Sequence, residues 1–169
     1  MSRKASIKKI KRNNSAAKDI EASLVMNLYE KGHSPISTHA AVYGLQECDV
    51  ISISKSDFIY EYEVKISKSD FKADFKKPKH TLIKESKFIK ESKSETLYLV
   101  PNYFYFVVPE NLISIDDIPE YAGLIYITEQ QTFNIIKKAP IIHKTKASKE
   151  FIRALSHQLT CKLVFNKIK

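Results

Sequence analysis

The clearest pattern of hydrophobic and polar positions in the chain is the alternation from Phe58 to Ile66. Successive side chains of a β-strand point to opposite faces of the sheet, so a period of two predicts a strand. One face would be aromatic and aliphatic, and the other would carry Glu61, Glu63 and Lys65. Two carboxylates and an ammonium in a row are unusual on a strand that the pattern places at the centre of a sheet.

Other alternating or continuous apolar runs predict further strands. The run from Tyr103 to Val108 is bounded by Pro101 and Pro109 and is typical of a strand buried on both faces. The remaining predicted strands are residues 36–44, 48–53, 123–128 and 133–137.

Apolar residues spaced three and four apart predict three helices. The second begins at a capping box from Ser67 to Asp70, and Pro78 is expected to end it. The first and third cover residues 19–31 and 148–165. The order of elements is therefore a helix, three strands, a helix, a strand, two strands and a helix. This order predicts an α/β fold with a mixed β-sheet flanked by helices.

Glu21 occupies a distinctive position in the first predicted helix. It precedes Val25 and Leu28 by four and seven residues, which places its side chain at the edge of the buried face. An acid there is either a charge on the rim of the core or a group directed at a cleft.

The length of 169 residues fits one domain, predicted as residues 18–169. Residues 1–17 mix Lys and Arg with small polar residues and are interpreted as a basic flexible arm. Residues 81–95 have a thin apolar pattern and are interpreted as a charged insertion, either helical or flexible.

The charge balance favours polyanionic partners. The chain has 28 Lys and Arg against 19 acidic residues, a formal net charge of +9. Such an excess attracts nucleic acid, although a solvated basic surface explains the charge equally well. The two cysteines, Cys48 and Cys161, are expected to be reduced, which favours a cytoplasmic protein. No apolar run approaches the length of a membrane span, and no membrane partner is expected.

The acidic face of the central strand suggests metal chemistry. Carboxylates brought together from neighbouring strands supply the oxygen ligands that Mg²⁺ prefers. Asp49 and Glu63 would be these ligands, and the carbonyl of Val64 would complete the coordination. Lys65 would orient an attacking water or hold the phosphate oxygen that gains charge. The alternative is that these residues are surface charges without a site.

These residues carry a resemblance to a known family. The pattern of Asp49, thirteen intervening residues and then Glu63, Val64 and Lys65 resembles the motif of the PD-(D/E)XK nuclease superfamily. The stretches EVKISKSDFKADFKKPKH, YFYFVVPENL, IPEYAGLIYI and KKAP are similar to its small bacterial and phage branch of MmcB-like DNA-repair proteins. The resemblance implies a restriction-endonuclease-like core, here followed by an extra hairpin and a C-terminal helix.

The resemblance also implies an activity, namely cleavage of DNA phosphodiester bonds with Mg²⁺, for which Mn²⁺ would substitute. An endonuclease acting in DNA repair, recombination or phage DNA processing is the first expectation. Asp49 and Glu63 would bind the metal, Lys65 would be the catalytic lysine, and Glu21 would match the first-helix glutamate of many members. The partner would be DNA, and many such proteins are homodimers of bacterial or phage origin.

Basic residues that follow the acidic face are candidate contacts to DNA phosphates, namely Lys68, Lys72, Lys76 and Lys77. A second hypothesis is a non-catalytic protein that keeps the fold and binds DNA or another partner. The intact acidic and basic trio favours the nuclease, because carboxylates that lack a metal would repel each other.

Two residues keep open roles. His39 stands where relatives often have an acid, and a structural histidine with satisfied hydrogen bonds is the favoured interpretation. Glu61 shares the face of Glu63 and would either support the metal ligands, bind a second metal or face solvent.

Overall fold

The computed structural model describes residues 2–40, 47–86 and 100–167, with the side chains of residues 16–40, 47–86 and 100–165. Its helices are α1 (Ser2–Glu30), α2 (Lys68–Asp74), α3 (Pro78–Ser86) and α4 (Lys149–Lys167), with a short 3₁₀ helix at Ile115–Asp117. Its strands are β1 (Ile36–Ala40), β2 (Cys48–Ile53), β3 (Ile59–Val64), β4 (Tyr103–Pro109), β5 (Ala122–Ile127) and β6 (Phe133–Lys137).

The six strands form one sheet in the order β1-β2-β3-β4-β5-β6. Strand β4 is parallel to both β3 and β5. The pairs β1–β2, β2–β3 and β5–β6 are antiparallel. The prediction of an α/β fold with a mixed sheet flanked by helices is therefore confirmed. Strand β3 lies between an antiparallel and a parallel neighbour, so the alternating segment is central as predicted.

One face of β3 packs against α1, as the alternation predicted. Tyr62 and Val64 belong to a buried cluster that also contains Leu24 and Leu28 of α1. The ring of Tyr62 stacks on that of Tyr105 in β4, with centroids 5.7 Å apart. This face buries apolar area, which is the main source of stability for the sheet and helix layers.

The other face of the sheet is covered by the remaining helices. Phe71 of α2 and Ile83 of α3 pack against Phe104 and Phe106 of β4. A neighbouring cluster contains Phe151 and Leu155 of α4 with Ile51, Ile53 and Ile59 of β2 and β3. The acidic residues of β3 therefore lie under a layer of helices and not on an open surface.

Helix α1 is longer than the predicted helix and includes residues interpreted as an arm. Residues 2–18 contain Ala, Lys, Arg and Ile, all of which tolerate a helix, and they lack Gly and Pro. Helix α1 stops just before Gly32, whose φ of 80° suits a glycine at a helix end, as predicted.

The region after α2 also differs from the prediction. The capping interaction is present, since Ser67 Oγ accepts a hydrogen bond of 3.1 Å from the amide of Asp70. Helix α2 already ends at Asp74, however, and Pro78 opens α3 because proline fits the first turn of a helix. The predicted insertion thus begins within α3, where Ile83 is buried, while residues 87–95 lie outside the described residues.

Smaller differences concern the ends of elements. Strand β1 ends at Ala40, and predicted strand residues 41–44 lie outside the described part of the chain. Leu163, near the end of α4, is 64% exposed. Both cysteines are free thiols. Across the described residues, no helix combines the length and the apolarity needed to cross a membrane.

Candidate functional site

The register of the sheet brings Asp49 next to Glu63. Val50 pairs with Tyr62 and Ile51 with Glu61, so one further step along the ladder places Asp49 opposite Glu63. Asp49 Oδ2 also accepts a hydrogen bond of 2.8 Å from the backbone amide of Val64. The two carboxylates predicted from the sequence therefore lie at the same point of the sheet.

Lys65 joins the two predicted carboxylates. Its Nζ lies 2.6 Å from Glu63 Oε2 and 3.6 Å from Asp49 Oδ2. Burial disfavours the charged ammonium, but the charges of Glu63 and Asp49 outweigh this effect and raise the pKa of Lys65 above its ordinary value. Lys65 is therefore a fixed positive charge between two acids.

Glu63 is fully buried and contacts three ammonium groups. Lys65 and Lys77 donate to its Oε2 at 2.6 and 3.0 Å, and Lys79 donates to its Oε1 at 2.6 Å. Burial alone would raise its pKa, but the lysine charges prevail and lower it. Glu63 is thus held as a carboxylate without any metal.

Glu61 is buried beside Glu63, so the interpretation as a solvent-facing group is wrong. Its neighbour across the ladder is Phe104, and burial among such side chains raises the pKa of Glu61 to about 7 despite the charge of Lys79. Lys79 Nζ lies 2.7 Å from Glu61 Oε1 and also donates to the carbonyl of Glu47 at 2.9 Å. Lys79 therefore bridges both buried glutamates of β3.

Asp74 at the end of α2 is the third buried acid. Its Oδ1 lies 3.0 Å from Lys65 Nζ and 2.5 Å from Lys77 Nζ. Its Oδ2 lies 2.8 Å from Nε2 of His80, whose Nδ1 is 2.8 Å from the hydroxyl of Tyr121. Burial opposes its charge, but the hydrogen bonds from His80 and Lys77 prevail and hold the pKa of Asp74 well below its usual range.

These contacts define a lysine-paired network of three acids and three lysines, whose formal charges cancel when Glu61 is ionised. It consists of Glu61, Glu63, Asp74, Lys65, Lys77 and Lys79.

A second group lies at the outer side of Asp49. Glu21 of α1 is only 7% exposed, and its Oε2 lies 3.0 Å from His39 Nε2. One ligand atom each from Glu21, His39 and Asp49 lies within 4.8 Å of the others. These three residues are called the carboxylate–histidine group below. Its Asp49 side chain is 25% exposed and its His39 side chain 45% exposed, so the group is open to solvent.

Local structure explains how this group forms. Ile20 and Leu24 are buried on α1, which fixes the direction of the intervening Glu21. The pairs Thr38 with Val50 and Ala40 with Cys48 place His39 opposite Asp49 in the ladder. His39 has a φ of 46°, a conformation uncommon outside glycine.

The pKa values of both acids in this group are raised, as is that of Glu61, whereas those of Glu63 and Asp74 are lowered. Burial raises the pKa of Glu21, and the charge of Asp49 adds to this rise while His39 opposes it. Burial and the charge of Glu63 likewise raise the pKa of Asp49, against the opposing effect of Lys65. Both shifts come mainly from burial, and the neighbouring carboxylate adds to each of them.

The sequence predictions for the site have mixed outcomes. Glu21, Asp49, Glu63 and Lys65 are brought together. Lys77 contacts Glu63 and Asp74 and has a side chain that is 40% exposed, while Lys68, Lys72 and Lys76 are exposed. A contact to DNA phosphate stays a prediction for all four lysines. The amide of Val64 contacts Asp49, and a metal contact from its carbonyl stays a prediction.

Sequence reasoning missed Asp74, Lys79 and His80 as members of the site. Asp74 follows the buried Phe71 by three residues, a spacing that puts it on the buried side of α2 and could have identified it. Lys79 resembles the exposed lysines around it, and no local pattern distinguishes it.

Comparisons with known proteins bear on the fold alone. No protein-family model matches the chain, and a search of curated proteins finds no match. A solved structure described as "SPO1766 protein of unknown function from Silicibacter pomeroyi" is similar, with a TM-score of 0.60 and 17% sequence identity. The match covers 83% of this chain and 84% of that chain. It supports a shared fold at low sequence identity.

Proposed function

We propose that the protein is a metal-dependent nuclease of the PD-(D/E)XK type that hydrolyses DNA phosphodiester bonds, with endonuclease activity as the first expectation. The observation that carries this proposal is the position of Lys65 between Asp49 and Glu63, at 3.6 and 2.6 Å, on adjacent strands at a partly solvent-open edge. An acid, an acid and a lysine in this arrangement match the chemistry that the sequence motif implies.

The residues present fit a divalent cation. Carboxylate oxygens of Asp49 and Glu21 are hard ligands suited to Mg²⁺ or Mn²⁺. Glu63 has both oxygens engaged by lysines, so it would join the metal only by exchanging a lysine contact. A bound divalent cation would stabilise charge on a phosphate and make a bound water more acidic.

Lys65 acts as a donor and a positive charge in this proposal. The charges of Glu63 and Asp49 raise its pKa, which favours a role as a hydrogen-bond donor over a role as a general base. It would donate a hydrogen bond to the phosphate oxygen that gains charge in the transition state. Asp74, at 3.0 Å, fixes the direction of this ammonium.

DNA as the substrate is supported by charge. The chain carries a formal net charge of +9, and Lys68, Lys72 and Lys76 are exposed on or just after α2, next to the site. Exposed lysines bind phosphate in a sequence-independent way and release counterions.

One observation favours the alternative, a non-catalytic protein that binds DNA or another partner. Glu63 contacts three ammonium groups within 3.0 Å, so its carboxylate is stable without a metal. Repulsion between unpaired carboxylates is therefore not an argument for the nuclease at Glu63. It applies only to Asp49 and Glu21.

The test is incubation of linear, nicked, single-stranded and branched DNA with Mg²⁺, Mn²⁺ or a chelator. We expect cleavage that needs the cation and falls about 10²–10³-fold in Asp49→Asn and Lys65→Ala, since each removes charge stabilisation from the site. Asp57→Asn, in an exposed turn, is the matched control and should cleave as wild type.

Circular dichroism and thermal unfolding establish that each variant is folded. The nuclease proposal fails when folded wild-type protein cleaves none of the substrates with either cation. Equal cleavage by wild type, Asp49→Asn and Lys65→Ala would contradict the assignment of these residues to an active site. Retained DNA binding without cleavage would support the non-catalytic alternative.

A further inference from the structure

The carboxylate–histidine group lacks the counter-charge that the lysine-paired network has. Within residues 16–40, 47–86 and 100–165, no lysine or arginine nitrogen lies within 4.0 Å of the Glu21 carboxylate. Asp49 has Lys65 at 3.6 Å, but Lys65 is closer to Glu63 and Asp74. The carboxylates of Glu21 and Asp49 therefore lie near each other. Asp49 shares the Lys65 ammonium with Glu63 and Asp74.

The geometry of the group suits a cation. Metal–ligand distances of about 2.1 Å place neighbouring ligand atoms of an octahedral ion about 3 Å apart. Glu21 Oε2 and His39 Nε2 are 3.0 Å apart, and all three candidate ligand atoms fall within 4.8 Å. The atoms come from three different elements, α1, β1 and β2, so the core holds them in place.

The donor set also indicates the type of cation. Mg²⁺ prefers oxygen ligands and retains water, whereas imidazole nitrogen suits first-row transition metals. One nitrogen and two oxygens therefore favour a transition-metal cation over Mg²⁺.

We propose that Glu21, His39 and Asp49 are the primary site for a divalent transition-metal cation, for which Mn²⁺ is the probe. His39 is then a metal ligand and not only a hydrogen-bond partner of Glu21. The metal lies beside the lysine-paired network, and Glu63 keeps its three lysines. The use of this metal in DNA cleavage rests on the proposed function, while binding itself does not.

The test measures Mn²⁺ binding by the full chain through electron paramagnetic resonance. Free Mn²⁺ is counted from its six-line spectrum during titration, and spin-echo modulation detects a nitrogen nucleus bonded to the ion. We expect wild type to show nitrogen modulation, and His39→Asn to lose it. Asn suits the positive φ of His39, so this variant should fold. His157→Asn, which removes an exposed imidazole on α4, should keep the modulation.

Two further variants sharpen the test. Glu21→Gln should weaken Mn²⁺ binding about tenfold or more, because it removes a charged ligand. His39→Asp replaces nitrogen with oxygen and keeps a residue that tolerates the conformation, so it should lower the preference for Mn²⁺ over Mg²⁺ in competition.

The proposal is overturned when bound Mn²⁺ shows no nitrogen modulation, when His39→Asn keeps it, or when Glu21→Gln binds Mn²⁺ as tightly as wild type. These outcomes do not depend on cleavage. Nitrogen modulation in a protein that cleaves no DNA would refute the nuclease and keep the metal site. Cation-dependent cleavage that survives Glu21→Gln and His39→Asn would support the nuclease and refute the proposed metal site.

Discussion

The lysine-paired network and the carboxylate–histidine group lie next to each other and differ in how their buried acids are paired with positive charge. Both bury acids under or beside helices of the same sheet. In the network, Glu61, Glu63 and Asp74 each contact at least one ammonium within 3.0 Å. In the other group, Glu21 contacts the imidazole of His39 at 3.0 Å, and no lysine or arginine nitrogen of the described side chains lies within 4.0 Å of its carboxylate.

The difference teaches where a ligand has most to contribute. Burying a charge costs free energy unless a partner of opposite charge compensates it. Removing one partner of a buried ion pair leaves the other charge uncompensated. The network supplies its own partners, so it acts as a rigid support that orients Lys65. Among the described side chains, the Glu21 carboxylate has no lysine or arginine nitrogen within 4.0 Å, so we expect a cation to contribute most there.

The largest expected effect on stability is in the network. Asp74→Asn leaves Lys65 and Lys77 without one of their acids and weakens the contact to His80. We expect the free energy of unfolding to fall by about 3–5 kcal/mol, as for a broken buried ion pair. Urea denaturation measures it. Asp70→Asn, at an exposed position on the same helix, is the control, and an equal loss there would contradict the assignment.

The same pair of proteins gives a pH test. The pKa of Asp74 is lower in the folded state than its unfolded value of about 3.9. Its ionisation therefore stabilises the fold fully above about pH 4, and the contribution is lost progressively below that pH. The stability difference between wild type and Asp74→Asn should shrink as the pH falls below 4. A difference that grows towards acid pH would show that the pKa is not lowered.

The next effect belongs to the carboxylate–histidine group and requires a cation. Mn²⁺ at about 100 times its dissociation constant should stabilise the wild-type fold by about 2.7 kcal/mol. Glu21→Gln, with binding weakened about tenfold or more, should lose about half of this gain or more in thermal unfolding with Mn²⁺. A gain of the same size in Glu21→Gln would place the cation elsewhere.

A smaller effect is expected for the same variant without cation. Because the pKa of Glu21 is raised, its ionisation opposes folding at neutral pH, and removing the charge relieves this cost. Glu21→Gln in a chelator should therefore be as stable as wild type or up to about 1 kcal/mol more stable. Comparison with Asp74→Asn tests the difference between the two regions. Similar losses of unfolding free energy in both variants would show that the two regions do not differ.

The two regions also differ in how far the sequence predicts them. The alternation in β3 predicted the shared face of Glu61, Glu63 and Lys65, because the period of a strand is a local property. The edge position of Glu21 followed in the same way from helical periodicity. These residues form the part of the site that the sequence reveals.

The partners could not be predicted in this way. Lys79 and His80 reach the site because α3 starts at Pro78 and packs back over the sheet, which depends on contacts distant in sequence. His39 faces Asp49 through the register of β1 and β2 and through a positive φ. The local sequence pattern does not show that Lys79 and His80 reach the site or that His39 faces Asp49. The partners of the buried acids are therefore seen only in the three-dimensional structure.

The smallest expected effect separates surface lysines from the network. Lys68, Lys72 and Lys76 are exposed, so changing all three to Ala should alter the free energy of unfolding by no more than about 0.5 kcal/mol each. If they contact DNA phosphates, each loss should reduce the slope of log affinity against log salt by about 0.9, because each contact releases a counterion. Fluorescence anisotropy of labelled DNA across a salt series measures this slope.

Lys77→Ala is the informative comparison, because Lys77 contacts Glu63 at 3.0 Å and Asp74 at 2.5 Å. It should lower stability and leave the salt slope near that of wild type, whereas an unchanged stability with a reduced slope would move Lys77 from the network to the DNA-binding surface.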